Sequence, residues 1–193
     1  MKIEREKKYL IPENLAEDLK SKSVLKIGVI QWYIDDKNFL IDKYYVGNKY
    51  RLRLIIDKNF NKQWSIAIKR DLRKFEREEI EFEIPETEIN INALKQYKLT
   101  AKIRYYLTLP NSDPEIVLDE FLRVDKVIEF EIRYLLEIET FKNFEEIEKE
   151  NNLVGFEVKD FKKFTNEKLA KGFSIETLKL IDLVYQFLVK NEG

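Results

Sequence analysis

The stretch Ile3-Glu4-Arg5-Glu6-Lys7-Lys8-Tyr9-Leu10-Ile11 sets two carboxylates and a lysine at every second position. Successive side chains of a strand point to opposite faces, so Glu4, Glu6 and Lys8 project from one face about 7 Å apart. Carboxylates that close repel unless a cation or protons lie between them. A lysine next in line suits an anion beside such a cation. The stretch reads as a strand offering a place for a divalent metal and a phosphate.

The same alternation recurs along the chain. Extended runs are expected at 3–11, 29–34, 49–57, 63–70, 76–84, 100–109, 116–124, 127–132 and 134–140, with turns at the Asn/Asp clusters 57–61 and 110–114. Leu52, Leu54 and Ile56 oppose Arg51 and Arg53. Ile80, Phe82 and Ile84 oppose Glu79, Glu81 and Glu83. Ile103 and Tyr105 oppose Lys102 and Arg104, and Leu136 and Ile138 oppose Glu137 and Glu139. Lys69 shares a face with Ser65 and Ala67, opposite Ile66 and Ile68.

An ordinary antiparallel sheet with one face in water accounts for any one of these strands. It accounts less well for the set, because the charges are segmented by sign and like charges at i and i+2 repel. A sheet curled into a barrel with its charged face inward gathers acid and base in one lumen. Unpaired buried charge is costly, so such a lumen stays wet or holds compensating ions. A polyanion bridged to carboxylates by metal ions satisfies both signs, which suits a triphosphate.

Composition narrows the chemistry. With 193 residues the chain can bury a sizeable core, and 44% hydrophobic content excludes a disordered chain. Charged residues reach 37%, yet 35 basic and 36 acidic side chains leave a net charge of −1, which argues against a basic tract for nucleic acid. The absence of cysteine excludes disulfides and thiol nucleophiles; the absence of histidine excludes His-based triads and HExxH sites. Oxygen ligands favour magnesium, manganese or calcium. No apolar signal segment or long apolar run is present, so a soluble cytoplasmic protein is expected.

Helical patterns fill the gaps. One has Pro12 in its first turn and carries Leu15 and Leu19; others are expected at 86–97 and 143–150. The last has Ser174 as N-cap and a stripe of Ile175, Leu178, Ile181, Val184 and Leu188 that reads as core packing. The fold expected is α+β: an antiparallel β-barrel of about eight strands forming a charged tunnel, helices packed outside, and one domain over 1–193.

The Glu4-x-Glu6-x-Lys8 opening resembles the signature of the CYTH superfamily, the triphosphate tunnel metalloenzymes. Further resemblances follow in the family's order along most of the chain: Gln31-x-Tyr33, Arg51-x-Arg53, Ile66-Ala-Ile-Lys69 and Glu79-Ile-Glu81-Phe-Glu83-Ile-Pro85. After these come Lys102-x-Arg104-Tyr105, Asp119-x-Phe121, Glu137-x-Glu139 and Phe164-Thr-Asn166 with Leu169-Ala170. The pattern is most similar to the bacterial inorganic triphosphatase branch. Trp32 replaces a usual glycine, Arg70 follows Lys69 where glycine is common, Val117 stands where many relatives carry a carboxylate, and Phe164 replaces a usual tyrosine. Residues 127–134 form an insertion before the late glutamate pair.

The resemblance implies metal-dependent hydrolysis of a small triphosphate, with inorganic tripolyphosphate as the expected substrate and Mg2+ or Mn2+ as the cofactor. It implies metal ligation by Glu4, Glu6, Glu137 and Glu139, with Glu81 and Asp119 completing or orienting the shell. Lys8, Arg51, Arg53, Lys69, Lys102 and Arg104 are implied to clamp phosphate oxygens, and Glu4, Glu6, Lys8 and Lys69 to form the catalytic group. Lys159, Lys162, Lys163 and Lys168 are expected to be solvated. Alternatives are a class IV adenylate cyclase or a thiamine or nucleoside triphosphatase in the same tunnel, a polyphosphate- or nucleotide-binding protein without turnover, and a structural domain with solvated charges. No nucleic-acid or membrane partner is expected, and the chain is expected to be a monomer or homodimer.

Overall fold

A computed structural model describes residues 2–35 and 50–190, apart from the side chains of Lys2, Lys69, Arg70 and Asp71. Its strands are β1 (Lys2–Leu10), β2 (Leu25–Ile34), β3 (Tyr50–Ile56), β4 (Lys62–Arg73), β5 (Glu76–Ile84), β6 (Lys98–Tyr106), β7 (Glu115–Phe121) and β8 (Tyr134–Glu139). Among the described residues these eight strands close into an antiparallel barrel in the order β1-β5-β4-β3-β2-β6-β7-β8. Closure removes both sheet edges, and the two-residue period of every stave then sorts side chains into lumen and exterior.

The helices are α1 (Glu13–Ser21), α2 (Phe144–Glu150), α3 (Asn166–Leu169) and α4 (Thr177–Val189). The apolar exteriors of β2, β3, β4 and β6 form one core with α4, built around Trp32, Leu52, Leu54, Ile66, Ile103, Ile181 and Val184. Trp32 stacks on Trp64 at 5.6 Å between ring centroids. The exteriors of β1, β7 and β8 form a second core with α1 and α2 through Tyr9, Leu118, Leu136, Ala16, Leu19 and Ile147. The apolar side faces out and the charged side faces in. Ile3, Leu72 and Ile80, on the outer faces of β1, β4 and β5, remain about half exposed.

Gly28 on β2 sets the approach of α4. A Cβ built there would lie 2.6 Å from Val184 Cγ1, well inside contact distance, so the helix can sit this close only over a residue without a side chain. At α2 the expected start is accurate: Asn143 is the N-cap, and its side chain accepts a hydrogen bond from Glu145 N.

Four expectations change. Residues 127–132 form no strand; a bridge joins Val124 to Ile128, and Ile128 and Phe130 are buried in the core, Phe130 against Phe121 and Phe173. Their alternation serves to insert two apolar side chains from an irregular segment. Residues 86–97 make two 3-10 turns, Glu86–Glu88 and Ile91–Gln96, because Ile89 is buried with extended backbone between them. The last helix starts two residues late: Glu176 is its N-cap in place of Ser174, Ile175 packs against the core before the helix begins, and Leu178 of the expected stripe is exposed. Pro12 stands at the N-cap of α1, its carbonyl accepting from Ala16 N. The expected strand at 49–57 begins on Lys49, which lies outside the described residues. Among the described residues no helix is long and apolar enough to cross a membrane.

Candidate functional site in the barrel lumen

The lumen holds a cavity of about 1250 Å³. It reaches from Pro110 and Asn111, in the β6–β7 turn, to Asp35, Tyr97 and Lys98 at the opposite end of the barrel. Glu4, Glu6 and Lys8 on β1, Arg51 and Arg53 on β3, Glu81 on β5, Arg104 on β6, and Glu137 and Glu139 on β8 all line it. The alternation read from each strand therefore brings nine of the expected site residues onto one surface.

Strand order sorts most of them by sign. Going round the barrel, β7, β8, β1 and β5 carry Glu115, Glu137, Glu139, Glu4, Glu6, Glu79 and Glu81 with the basic Lys8 and Arg77 among them, whereas β6 and β3, on either side of β2, carry Arg104, Arg51 and Arg53. An acidic arc faces a basic arc. Between β3 and β5 the lumen face of β4 bears the small residues Ser65 and Ala67, both buried. From beside Ala67, Arg51 crosses β4, with Nη2 3.2 Å from Glu79 Oε1, and Arg53 Nη1 lies 3.9 Å from Glu81 Oε1. Ser65 Oγ donates to Glu81 at 2.8 Å. Burial pushes the Glu81 carboxyl up, but Arg53 and its hydrogen bonds outweigh this and leave it below the usual carboxylate range.

On the acidic arc, Glu6 stands directly opposite Glu139 in the β1–β8 register, and Glu139 directly opposite Glu115 in the β8–β7 register. Facing like charges destabilise a strand pair unless something compensates them. Arg77, across from Glu4, approaches Glu6 at 3.6 Å, and Lys8 Nζ lies 3.3 Å from Glu137. Hard carboxylate oxygens are the right donors for Mg2+ or Mn2+. Among the described residues, however, no three acidic side chains converge as a ready ligand set.

Lys102 and Asp119 sit deeper than expected. Neither lines the cavity, and both are fully buried. Lys102 Nζ donates to Asp119 Oδ2 at 2.7 Å and to Asn166 Oδ1 at 2.9 Å; Arg104 binds the same carboxylate through two bonds of 2.8 and 2.9 Å. Burial pushes Asp119 up, but Arg104 and Lys102 outweigh it and hold it below the usual range. Burial pulls Lys102 down to about 7 against the opposing pull of Asp119. Arg53, desolvated and beside Arg51 and Arg104, falls to about 10 and remains charged at neutral pH. Lys69 lies opposite Glu79 in the β4–β5 register; its side chain lies outside the described residues.

One end of the lumen is crossed by the segment between α2 and α4. Val158 N donates to Lys8 O, and Lys171 pairs with Leu99 through both backbone bonds, so the segment spans from β1 to β6. Thr165, Asn166, Glu167 and Lys168 face the cavity from it, and Lys8 Nζ donates to Phe164 O at 3.1 Å. Lys159, Lys162, Lys163 and Lys168 are exposed, although Lys168 also borders the cavity. Arg77, Glu79 and Glu115 were missed as site residues. Their parity with Glu81 and with Val117 was the available signal, and Val117 itself lines the cavity where a carboxylate was noted as absent.

No protein-family model matches the chain, and no curated protein matches it. Solved structures similar to it include PH1819 protein from Pyrococcus horikoshii OT3, 19% identical over 93% of this chain and 98% of that one, with a TM-score of 0.48. The hypothetical protein NE1496 is 20% identical over 86% and 96%, with a TM-score of 0.44. HpAC1 from Hippeastrum, an adenylyl cyclase by name with a dominant triphosphatase activity, is 17% identical over 88% and 97%, with a TM-score of 0.48.

Proposed function

We propose that this chain binds a small triphosphate in the barrel lumen and hydrolyses it, with inorganic tripolyphosphate as the substrate. The observation that carries this reading is the opposition of two charged arcs, Arg51, Arg53 and Arg104 facing Glu4, Glu6, Glu137 and Glu139, across one cavity. A polyphosphate chain needs cationic donors along its length, and guanidinium forks suit its oxygens. Glu4, Glu6, Glu137 and Glu139, with Glu115, would hold Mg2+ or Mn2+ on the opposite wall. A cation bound there supplies an activated water and offsets phosphate charge. The chain's own basic residues hold and orient the phosphates, while Lys8, placed between Glu137 and the segment that crosses the barrel end, meets the terminal one. No protein nucleophile is required, in keeping with a chain that has neither cysteine nor histidine.

A second reading, capture of a polyphosphate or nucleotide without turnover, is favoured by the lack of three converging acidic side chains among the described residues. One assay separates the two. The protein is incubated with tripolyphosphate, thiamine triphosphate or ATP and with Mg2+ or Mn2+, and phosphate and cyclic AMP are followed. Phosphate release from tripolyphosphate supports hydrolysis. Binding without release of either product eliminates hydrolysis and leaves the binding protein.

A further inference from the structure

Gln31 occupies the middle of the basic arc. It lies on β2, fully buried, directly opposite Arg53 on β3 and Thr100 on β6. Its Oε1 accepts two hydrogen bonds from Arg53, from Nε at 3.3 Å and from Nη2 at 3.1 Å. The orientation of the amide follows from chemistry, since a guanidinium edge offers only donors and must face the oxygen. Among the described residues this leaves Gln31 Nε2 with no hydrogen-bond partner, and Thr100 Oγ1 on the facing strand has none either. Leaving a buried donor unmatched costs about 1–3 kcal/mol, so the amide is retained for what its oxygen does.

The three arginines of the basic arc differ in how they are held. Arg104 is gripped by the Asp119 carboxylate and Arg51 is bonded to the Glu79 carboxylate, so each is matched by a negative charge at hydrogen-bond distance. Arg53 is fixed by a neutral group, and Glu81 stands back at 3.9 Å. Arg53 lines the cavity. Two bonds to one edge fix the guanidinium plane, and Nη1, 3.9 Å from Glu81 and so beyond hydrogen-bond distance, keeps its donor capacity for a ligand.

We infer that Gln31 is a positioning residue for a strongly anionic ligand: it orients Arg53 towards the lumen without adding a negative charge of its own, so that only the more distant Glu81 offsets the guanidinium. The inference rests on the proposed triphosphate site and deepens it. It marks Arg53 as the point where the lumen selects for ligand charge. A carboxylate at position 31 keeps the acceptor and cancels the charge; an apolar side chain keeps the charge and loses the orientation.

The test is calorimetric titration of the whole protein with tripolyphosphate and Mn2+ at several salt concentrations, on wild type, Gln31→Glu and Gln31→Met, with thermal unfolding of each. Gln31→Glu is expected to bind about ten-fold more weakly and with a shallower salt dependence, because one cation is neutralised. Gln31→Met is expected to weaken binding by about ten-fold with the salt dependence unchanged, because only the orienting bonds are lost. Adding Gln31→Met to Arg53→Ala should produce little further loss, because Gln31 acts only through Arg53. Should Gln31→Glu not fold, Gln31→Met decides the matter on its affinity. If wild type binds and the folded variants match its affinity and salt slope, Gln31 is only a structural residue and the inference falls while the triphosphate site stands. If wild type does not bind, both fall.

Discussion

Arg51 and Glu79 are joined across an intervening strand: the guanidinium leaves β3, passes over β4 and meets the carboxylate of β5 at 3.2 Å. The β4 residue in register with Arg51 is Ala67, and the one in register with Glu79 is Lys69. The Ala67 methyl group leaves room above it for the longer side chain, and a basic strand is thereby tied to an acidic one.

Ala67→Leu is expected to fill that space, part Arg51 from Glu79 and overpack the lumen. Denaturant titration should show a loss of about 1–3 kcal/mol. Ala67→Ser, close in volume and similar to the neighbouring Ser65, should remain near wild type. Equal stability of the leucine variant and wild type would contradict the bridge.

Asp119→Asn removes the carboxylate that hydrogen-bonds both Lys102 and Arg104. Buried Lys102 then loses its ion-pair partner and Arg104 keeps only Glu137 at 3.9 Å, and a loss of about 3–5 kcal/mol is expected. Chemical denaturation reads it directly. A change below about 1 kcal/mol, the range of exposed pairs, would mean that the three charges do not share a dry site.

Lys102 should titrate near neutrality, since burial lowers its ammonium to about 7 from a normal value of 10.5. Above pH 7 the unfolded chain therefore carries a proton on this amine that the folded protein has released. By linkage, stability supplied through this group rises with pH from about 7 towards 10. Unfolding measured from pH 6 to 10 should show this slope in wild type and not in Lys102→Met. An Nζ resonance that stays protonated up to pH 10 would overturn the prediction.

Gly28→Ala should drive a Cβ against Val184 Cγ1 and push α4 off the barrel, for a loss of about 1–3 kcal/mol. Val184→Ala in the same chain should recover part of it. Additive losses in the double variant would show that the two positions do not touch.

The alternation of Glu4, Glu6 and Lys8, of Arg51 and Arg53, and of Glu137 and Glu139 was legible because a strand's period is local. It placed each of these side chains on the lumen face that they occupy. Segment 127–132 carried the same local signal and forms no strand, since Ile128 and Phe130 are claimed by a distant core. Pairing between strands is not local either. That Lys102 and Asp119 would bury one another, and that Glu6, Glu139 and Glu115 would stand in a row, depends on registers between β6, β7, β8 and β1. Glu115 and Arg77 share the lumen parity of their strands and line the cavity, but each lies outside the motif positions. Gln31 was legible as part of Gln31-x-Tyr33, but its pairing with Arg53 depends on the register between β2 and β3.

The central claim is that the two arcs hold a triphosphate between them. Calorimetric titration with tripolyphosphate in Mn2+ tests it directly, comparing wild type with Arg51→Ala/Arg53→Ala and with Lys163→Ala. Lys163 is exposed, outside the cavity lining, and serves as the control. The account predicts saturable binding by wild type and Lys163→Ala, and a loss of about 100-fold or more in the double arginine variant, from two charge-assisted contacts. Absence of binding by wild type, or equal affinity in all three proteins, would contradict it.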